Sequence, residues 1–264
     1  MLEFLMIVEA QGDFRTAAGL AKRVFLKKSL QRSQWNWIEE NLEHLFQWVG
    51  LEPGTEFSCW SKLRQIQQVQ GYRIPKFLGH VLDEPMKADA TMARRALFMM
   101  DAEQRRREKE SRPTLSAIVF IRDMDNQPQR REGLEQARRE FEGSFTIVIG
   151  AADPEREAWV LHGFDPDNEE EKELLYQLQK SLGFDPRITP ERLRDDIRRS
   201  SSGLRDIKQV LVKLTEGAFQ REEKCWLEAD LDLLYQRGTN TGLSEYLDEV
   251  EEQLFPLFVT GEDE

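Results

Sequence analysis

Three short apolar segments of the chain are each followed closely by acidic residues. These acids are Glu9 with Asp13, Asp123 with Asp125, and Asp153 with Glu155 and Glu157. Carboxylate oxygens are the ligands that Mg²⁺ and Mn²⁺ prefer. Acids also stabilise helix N-termini, by about 0.3–1 kcal/mol each. Helix capping accounts for any one group, but three groups that meet would repel one another, which favours a bound divalent cation.

The elements that must position these acids are strands and helices in alternation. The apolar segments predict strands over residues 2–8, after Pro113 and over 145–149. Helical spacing follows the first strand from Phe14 onward, precedes the second strand over 86–110 and follows the second strand over 128–141. Unbroken apolar strands alternating with helices predict an α/β fold with a parallel sheet covered on both faces. In such sheets the ligand site lies outside the carboxyl ends of the strands, where the three groups of acids would meet.

The remaining segments are predicted to be helical. Residues 33–110 are interpreted as a helical insertion, in which 35–50 ("WNWIEENLEHLFQWVG") form one tryptophan-rich helix that ends at Gly50. After residue 165 we expect only helices, including one over 189–200, as a C-terminal region over 166–264. The α/β core is therefore assigned to 1–32 and 111–165.

The composition of the chain argues against several classes of protein. The net charge of −12 argues against general electrostatic attraction to nucleic acid or to an anionic membrane. Basic islands nonetheless offer local contacts to a polyanion, and they contain Arg94, Arg95, Arg105, Arg106, Arg107, Arg130 and Arg131. Two distant cysteines and three scattered histidines indicate neither a disulfide scaffold nor a zinc site. The absence of a long apolar run or a signal-like start predicts a cytoplasmic protein without membrane contact.

Taken in order, the acidic motifs resemble those of a Toprim domain. A first strand ends in Glu9, a later strand ends in "RDMD" (Asp123 and Asp125), and Glu157 stands in "EAW". The tail "GLSEYLDEVEEQLFPLF" also resembles the end of small standalone bacterial Toprim proteins and of nucleases of the overcoming-lysogenization-defect type. The likeness covers most of the chain outside 33–110. The chain departs from the family in having Ala10 and Gln11, in place of Gly or Cys, straight after the glutamate.

The resemblance implies a metal-dependent endonuclease that cleaves DNA phosphodiester bonds. Glu9, Asp123 and Asp125 would hold one or two Mg²⁺ or Mn²⁺ ions. Asp13 and Glu157 would complete the second ion site.

Three further expectations follow from the resemblance. Lys208 is the candidate for a late catalytic lysine, and Lys213 is its rival. The basic islands would follow the DNA backbone. Related nucleases act with an ATPase in bacterial defence against phage or plasmids, and this chain has no G-x-x-x-x-G-K-[ST] motif, so a separately encoded ATPase subunit is the expected partner.

Two alternatives stay open. The chain could be a non-catalytic Toprim-like subunit whose tryptophan-rich segment serves homo-oligomerisation or a partner. A haloacid-dehalogenase-like phosphatase would instead use Asp123 as its nucleophile. The latter is disfavoured because "DNQPQ" follows Asp125 and because Glu9 has no part in that chemistry.

Overall fold

The computed structural model of the protein describes residues 1–31, 38–75, 80–81, 84–143, 145–194 and 205–259. Trp35 and Trp37, at the start of the helix predicted over 35–50, lie outside the described residues. So does the second part of the helix predicted over 189–200, of which the described part contains only a 3₁₀ turn, Pro190–Arg192.

The described residues form an α/β fold around a five-stranded parallel sheet, as predicted. The strands of the chain are β1 (Leu2–Val8), β2 (Phe46–Val49), β3 (Ser58–Cys59), β4 (His80–Val81), β5 (Glu84–Pro85), β6 (Leu115–Asp123) and β7 (Thr146–Ala152). The order in the sheet is β2-β1-β6-β7, and β3 pairs with the last two residues of β1. Strands β4 and β5 form a separate antiparallel pair.

Helices make up most of the rest. They are α1 (Gln11–Leu30), α2 (Ile38–Leu45), α3 (Leu63–Gln70), α4 (Ala90–Lys109), α5 (Gln129–Arg139), α6 (Arg156–His162), α7 (Glu169–Leu182), α8 (Ile207–Thr215), α9 (Phe219–Leu227), α10 (Leu231–Arg237), α11 (Leu243–Glu249) and α12 (Pro256–Val259). As predicted, the described residues after 165 contain no strand. None of the described helices is long and apolar enough to cross a membrane.

Both faces of the central strands are buried, which explains why the middle of each is an unbroken apolar run. In β1, Phe4 and Met6 face a core shared with α1, α6 and the C-terminal helices. Leu5 and Ile7 face a second core built with α3, α4 and α5. Because successive side chains of a strand point to opposite faces, residues 4–8 of β1 are all buried, alternately in the first core and in the second.

The prediction of an entirely helical 33–110 region is wrong. Residues 46–49 form β2, which pairs in parallel with β1, and β3 adds a second strand at the same edge. The helix that was expected to continue to Gly50 ends at Leu45. Phe46 and Trp48 fit a helical period in sequence, but in the structure both rings pack on Phe4 of β1. Aromatic residues suit a pleated, half-buried surface, and short apolar runs do not separate helix from strand.

The C-terminal helices are attached to the sheet beside β7. The backbone N–H of Asp153 donates to the carbonyl of Thr241 at 3.0 Å. The next residue, Gly242, has a φ of +75°, and a Cβ placed there would lie 1.9 Å from the carbonyl oxygen of Ala151. This position therefore requires glycine both for its backbone conformation and for its close approach to the strand.

We expect Gly242→Ala to destabilise the protein by about 3 kcal/mol or more, since backbone strain adds to the clash with β7. Gly54→Ala is the matched control, because Gly54 has a φ of +76° and open space around its Cβ position, and its loss should be about 1 kcal/mol. Urea unfolding of both variants measures the difference. Equal losses would mean that the contact between residue 242 and β7 is not tight.

Candidate functional site

Three carboxylates meet beyond the carboxyl ends of β6 and β7. Asp123 is the last residue of β6, Glu155 precedes α6, and Glu157 lies in the first turn of that helix. One oxygen from each lies within 4.8 Å of the others, and all three side chains are partly buried. We call Asp123, Glu155 and Glu157 the acidic cluster. It contains only hard oxygen donors, a set that suits Mg²⁺ or Mn²⁺.

Like charges and burial make ionisation of the acidic cluster unfavourable. Burial, followed by the negative charges of Asp13, Glu9 and Glu157, raises the pKa of Asp123 to about 8. The backbone N–H of Arg156, which donates to Asp123 Oδ1 at 2.9 Å, offsets part of this effect. Burial also raises the pKa of Glu155. A cation placed among these oxygens would relieve the repulsion.

Glu9 lies beside the acidic cluster, with its carboxylate already engaged. Its Oε1 accepts from the backbone N–H of Asp123 at 3.2 Å and from Arg122 Nη1 at 2.6 Å. Arg122 also donates to Asp89 at 2.7 Å. Glu9 thus holds the end of β1 against the end of β6. It was expected to bind the metal, but it is not one of the three clustered carboxylates.

Asp13 acts on the start of α1. Its Oδ2 accepts from the backbone N–H groups of Glu9 at 3.1 Å and Ala10 at 2.7 Å. Its other oxygen lies 3.7 Å from Arg156 Nε. Burial raises the pKa of Asp13, and its backbone hydrogen bonds oppose that rise. The sequence had suggested two roles for Asp13, a helix start and a metal ligand. The hydrogen bonds in the structure support the first role.

Asp125 is not part of the acidic cluster. It occupies a turn with a φ of +46°, and its carboxylate pairs with Arg130 Nη1 at 2.6 Å. Arg130 also donates to the carbonyl of Asp123 at 2.9 Å. Of the two aspartates in "RDMD", the structure brings only Asp123 into the acidic cluster, and Asp125 joins the loop after β6 to α5.

Arg156 is a buried cation at the centre of this region, and the sequence analysis did not single it out. Its guanidinium lies 3.2 Å from both Glu157 and Glu222, and it donates to Thr16 at 3.3 Å. The available signal was an arginine between two glutamates in "PEREAW". Glu222 gave no signal, because α9 brings it to the site from 66 residues further along the chain.

Lys208, and not Lys213, reaches the acidic cluster. Its Nζ lies 2.5 Å from Glu155 Oε2. Burial opposes the charged form of Lys208, but the hydrogen bond to Glu155 and the charges of Glu157 and Asp123 raise the lysine pKa. Lys213 lies further along α8 and is exposed. The side chain of Lys208 is 57% exposed, so it can move between the acidic cluster and a bound molecule.

The predicted DNA-binding arginines are distributed over several surfaces. Arg94 pairs with Glu140 at 3.2 Å, and Arg131 lies 3.8 Å from Glu245. Arg107 is only 5% exposed, which contradicts its assignment to a DNA-binding surface.

The other predicted arginines remain accessible to different degrees. Arg130 borders the acidic cluster, as described above. Arg95 bonds to Gln67, and Arg105 and Arg106 lie near the far end of α4.

Comparisons of the chain with protein-family models, with curated proteins and with solved structures found no match.

The raised pKa of Asp123 predicts how the stability of the folded protein depends on pH. The unfolded chain releases this proton near its ordinary value of 3.8, and the folded protein keeps it up to about pH 8. The folded state therefore binds the extra proton between these values, so that the free energy of unfolding falls as pH rises through this window. Asp123→Asn removes the titrating group and with it this loss of stability. At pH 8 the substitution should raise the Tm by about 2–4 °C for each 1 kcal/mol by which the free energy of unfolding increases.

The measurement is thermal unfolding in EDTA at pH 5 and pH 8, with Asp232→Asn as the control. Asp232 is exposed and lies in α10. We expect the gain of Asp123→Asn to be larger at pH 8 than at pH 5. A gain that does not depend on pH would show that Asp123 is already ionised in the folded protein.

Proposed function

We propose that the protein is an Mg²⁺- or Mn²⁺-dependent nuclease of the Toprim type that cleaves DNA phosphodiester bonds. The observation that carries the proposal is the acidic cluster at the carboxyl edge of a parallel sheet, with Lys208 in contact with Glu155. This edge is where ligand sites of such sheets lie. The resemblance of "RDMD" and "EAW" to Toprim motifs points to the same chemistry.

Asp123, Glu155 and Glu157 are the residues that would hold the metal. The fit rests on three carboxylates within 4.8 Å of one another and on the energetic cost of leaving them together without a cation. When bound, the metal would lower the pKa of an attacking water and stabilise the leaving oxygen.

The chain's own cations supply the remaining functions. Lys208 is placed to neutralise negative charge on the scissile phosphate, because its ammonium group lies at the edge of the acidic cluster. Arg130 borders the site at the carbonyl of Asp123 and can bind a neighbouring phosphate once it leaves Asp125. Arg156 pairs with the carboxylate of Glu157 and would fix its orientation.

The biological setting is proposed from the resemblance. Nucleases of this type act with an ATPase in bacterial defence against phage or plasmids, in the cytoplasm. The same resemblance is the basis for proposing a separately encoded ATPase subunit as the partner.

A non-catalytic interaction subunit is the second candidate, and one observation favours it. The chain's own cations already neutralise much of the acidic region, with Arg122 on Glu9, Lys208 on Glu155 and Arg156 on Glu157. A site arranged in this way can persist without a metal. The two candidates differ in whether the acidic cluster binds Mn²⁺ and in whether purified protein cleaves DNA.

Plasmid nicking in Mg²⁺ and in Mn²⁺ tests the nuclease proposal. We expect wild-type cleavage to fall at least about 100-fold in Asp123→Ala and Glu157→Ala, because each removes a ligand of the metal. Asp125→Ala should retain activity within about tenfold, since its carboxylate is outside the acidic cluster.

Asp232→Ala is the control for a loss of negative charge elsewhere. A wild-type protein that neither binds Mn²⁺ in calorimetry nor cleaves DNA would contradict the proposal. Mn²⁺ binding without cleavage would instead indicate that activity requires the ATPase partner. An inactive Asp125→Ala with an active Glu155→Ala would favour the ligand set expected from the sequence over the one that the structure assembles, because Glu155 belongs only to the latter.

Lys208→Met and Lys213→Met separate the two lysines. Lys208→Met should lower the cleavage rate at least about 100-fold and strengthen Mn²⁺ binding, because it removes a cation that competes for Glu155. Lys213→Met should leave both unchanged. Calorimetry and single-turnover cleavage measure the two effects, and weaker Mn²⁺ binding in Lys208→Met would contradict this role.

A further inference from the structure

A row of basic side chains leads away from the acidic region along the groove between α3 and α4. We call it the basic strip. Its members are Lys62, Arg64, Arg73, Arg95, Arg105, Arg106 and Lys109. Arg73, Arg105, Arg106 and Lys109 line one cavity of about 390 Å³, and no acid among the described residues lines it.

The site end of the basic strip is fixed by Trp60. Its indole N–H donates to the carbonyl of Ile121, two residues before Asp123, at 2.7 Å. Arg122 lies over the same ring, with its Cζ 5.9 Å from the centroid. The 3₁₀ turn Trp60–Lys62 then continues directly into α3, which starts the basic strip close to the acidic cluster.

The far end lies at the opposite edge of the sheet. Arg107 donates to the carbonyl of Pro113 at 3.1 Å and pairs with Glu3, which places the end of α4 beside the beginnings of β1 and β6. At the other end of α4, Asp89 contacts Arg122. The 20 residues of α4 at about 1.5 Å each give a length of about 30 Å. That length matches about nine base pairs of a duplex, at about 3.4 Å per base pair.

Four of the seven cations of the basic strip have no acidic partner among the described residues. Within the described residues, Lys62, Arg64, Arg73 and Lys109 form no ion pair, whereas most basic side chains near the acidic cluster do. Arg95 bonds to the uncharged Gln67. Arg105 pairs with Asp101, and Arg106 lies near Glu103 and Glu110. The four cations without an ion pair repel one another, and a polyanion would relieve that repulsion.

The chemistry of the strip favours a duplex over a single strand. Proteins that bind single strands present aromatic side chains on which bases stack. The two aromatic residues described along the basic strip, Trp60 and Tyr72, are 4% and 7% exposed, and the Tyr72 hydroxyl is bonded to Glu103 at 3.0 Å. The strip therefore offers contacts to phosphates and none to unstacked bases.

We propose that the basic strip binds the phosphate backbone of double-stranded DNA and directs one end of the bound segment to the acidic cluster. This deepens the proposed function by naming its substrate as a duplex of at least about nine base pairs. Binding is sequence-independent, because phosphate contacts do not identify bases.

The test is binding of a fluorescent 24-base-pair duplex in EDTA, followed by anisotropy between 50 and 200 mM salt. The triple variant Arg64→Gln, Arg73→Gln and Lys109→Gln removes three strip cations. The charge-matched control is Arg139→Gln, Lys180→Gln and Lys213→Gln, all exposed and outside the strip. We expect the strip variant to bind at least tenfold more weakly at 100 mM salt. We also expect the slope of log K against log salt to become shallower by about 2.7, from about 0.9 for each lost phosphate contact.

The control triple should bind as the wild type does, and thermal unfolding checks that both triples remain folded. Equal binding by the strip variant and the control would overturn the inference, as would tighter binding of a 24-nucleotide single strand than of the duplex. Because the assay contains no metal, its outcome is independent of cleavage. A failed nicking experiment with an intact strip effect would remove the nuclease proposal and leave a duplex-binding protein.

Discussion

Repulsion between carboxylates at one edge of the sheet is the constraint on which the rest of the site depends. Parallel strands bring their carboxyl ends together, and here Asp123, Glu155 and Glu157 arrive within 4.8 Å of one another. The chain compensates by surrounding them with cations from other elements, Arg156 from α6 and Lys208 from α8. Lys208 lies on the exposed side of the acidic cluster and Arg156 on the buried side. An incoming cation would therefore displace Lys208 before Arg156.

The sequence predicted the sheet well because the central residues of β1, β6 and β7 are buried on both faces and are therefore apolar. It failed at β2, where Phe46 and Trp48 fit a helical period as well as a strand. Their pairing with Phe4 is a tertiary contact, which no local pattern records. The insertion expected over 33–110 consequently supplies two strands of the sheet as well as helices.

The candidate site was predictable to the level of the strand ends, but not to the level of individual side chains. Glu9, Asp123 and Glu157 all lie at the edge that the alternation of strands and helices indicated. Which acid turns inward depends on the turn that follows its strand, and the motif could not show that Asp125 turns toward Arg130. Glu222 lies on α9, 66 residues after Arg156 in the chain. Its contact with Arg156 could therefore not be predicted from the spacing of residues in the sequence.

The attachment of the C-terminal helices to β7 has a consequence for folding during synthesis. Tyr246 stacks on Trp159, and its hydroxyl bonds to the carbonyl of Ala17, 229 residues earlier in the chain. During synthesis, pairings between residues this far apart can form only after the later residue has been added to the chain. During synthesis from the N-terminus, the three strands and their acids leave the ribosome well before α8 and α11. The nascent chain therefore passes through a stage in which the acidic edge exists without Lys208 and without the helices that cover it, and the complete charge balance is reached only when the last quarter of the chain has docked.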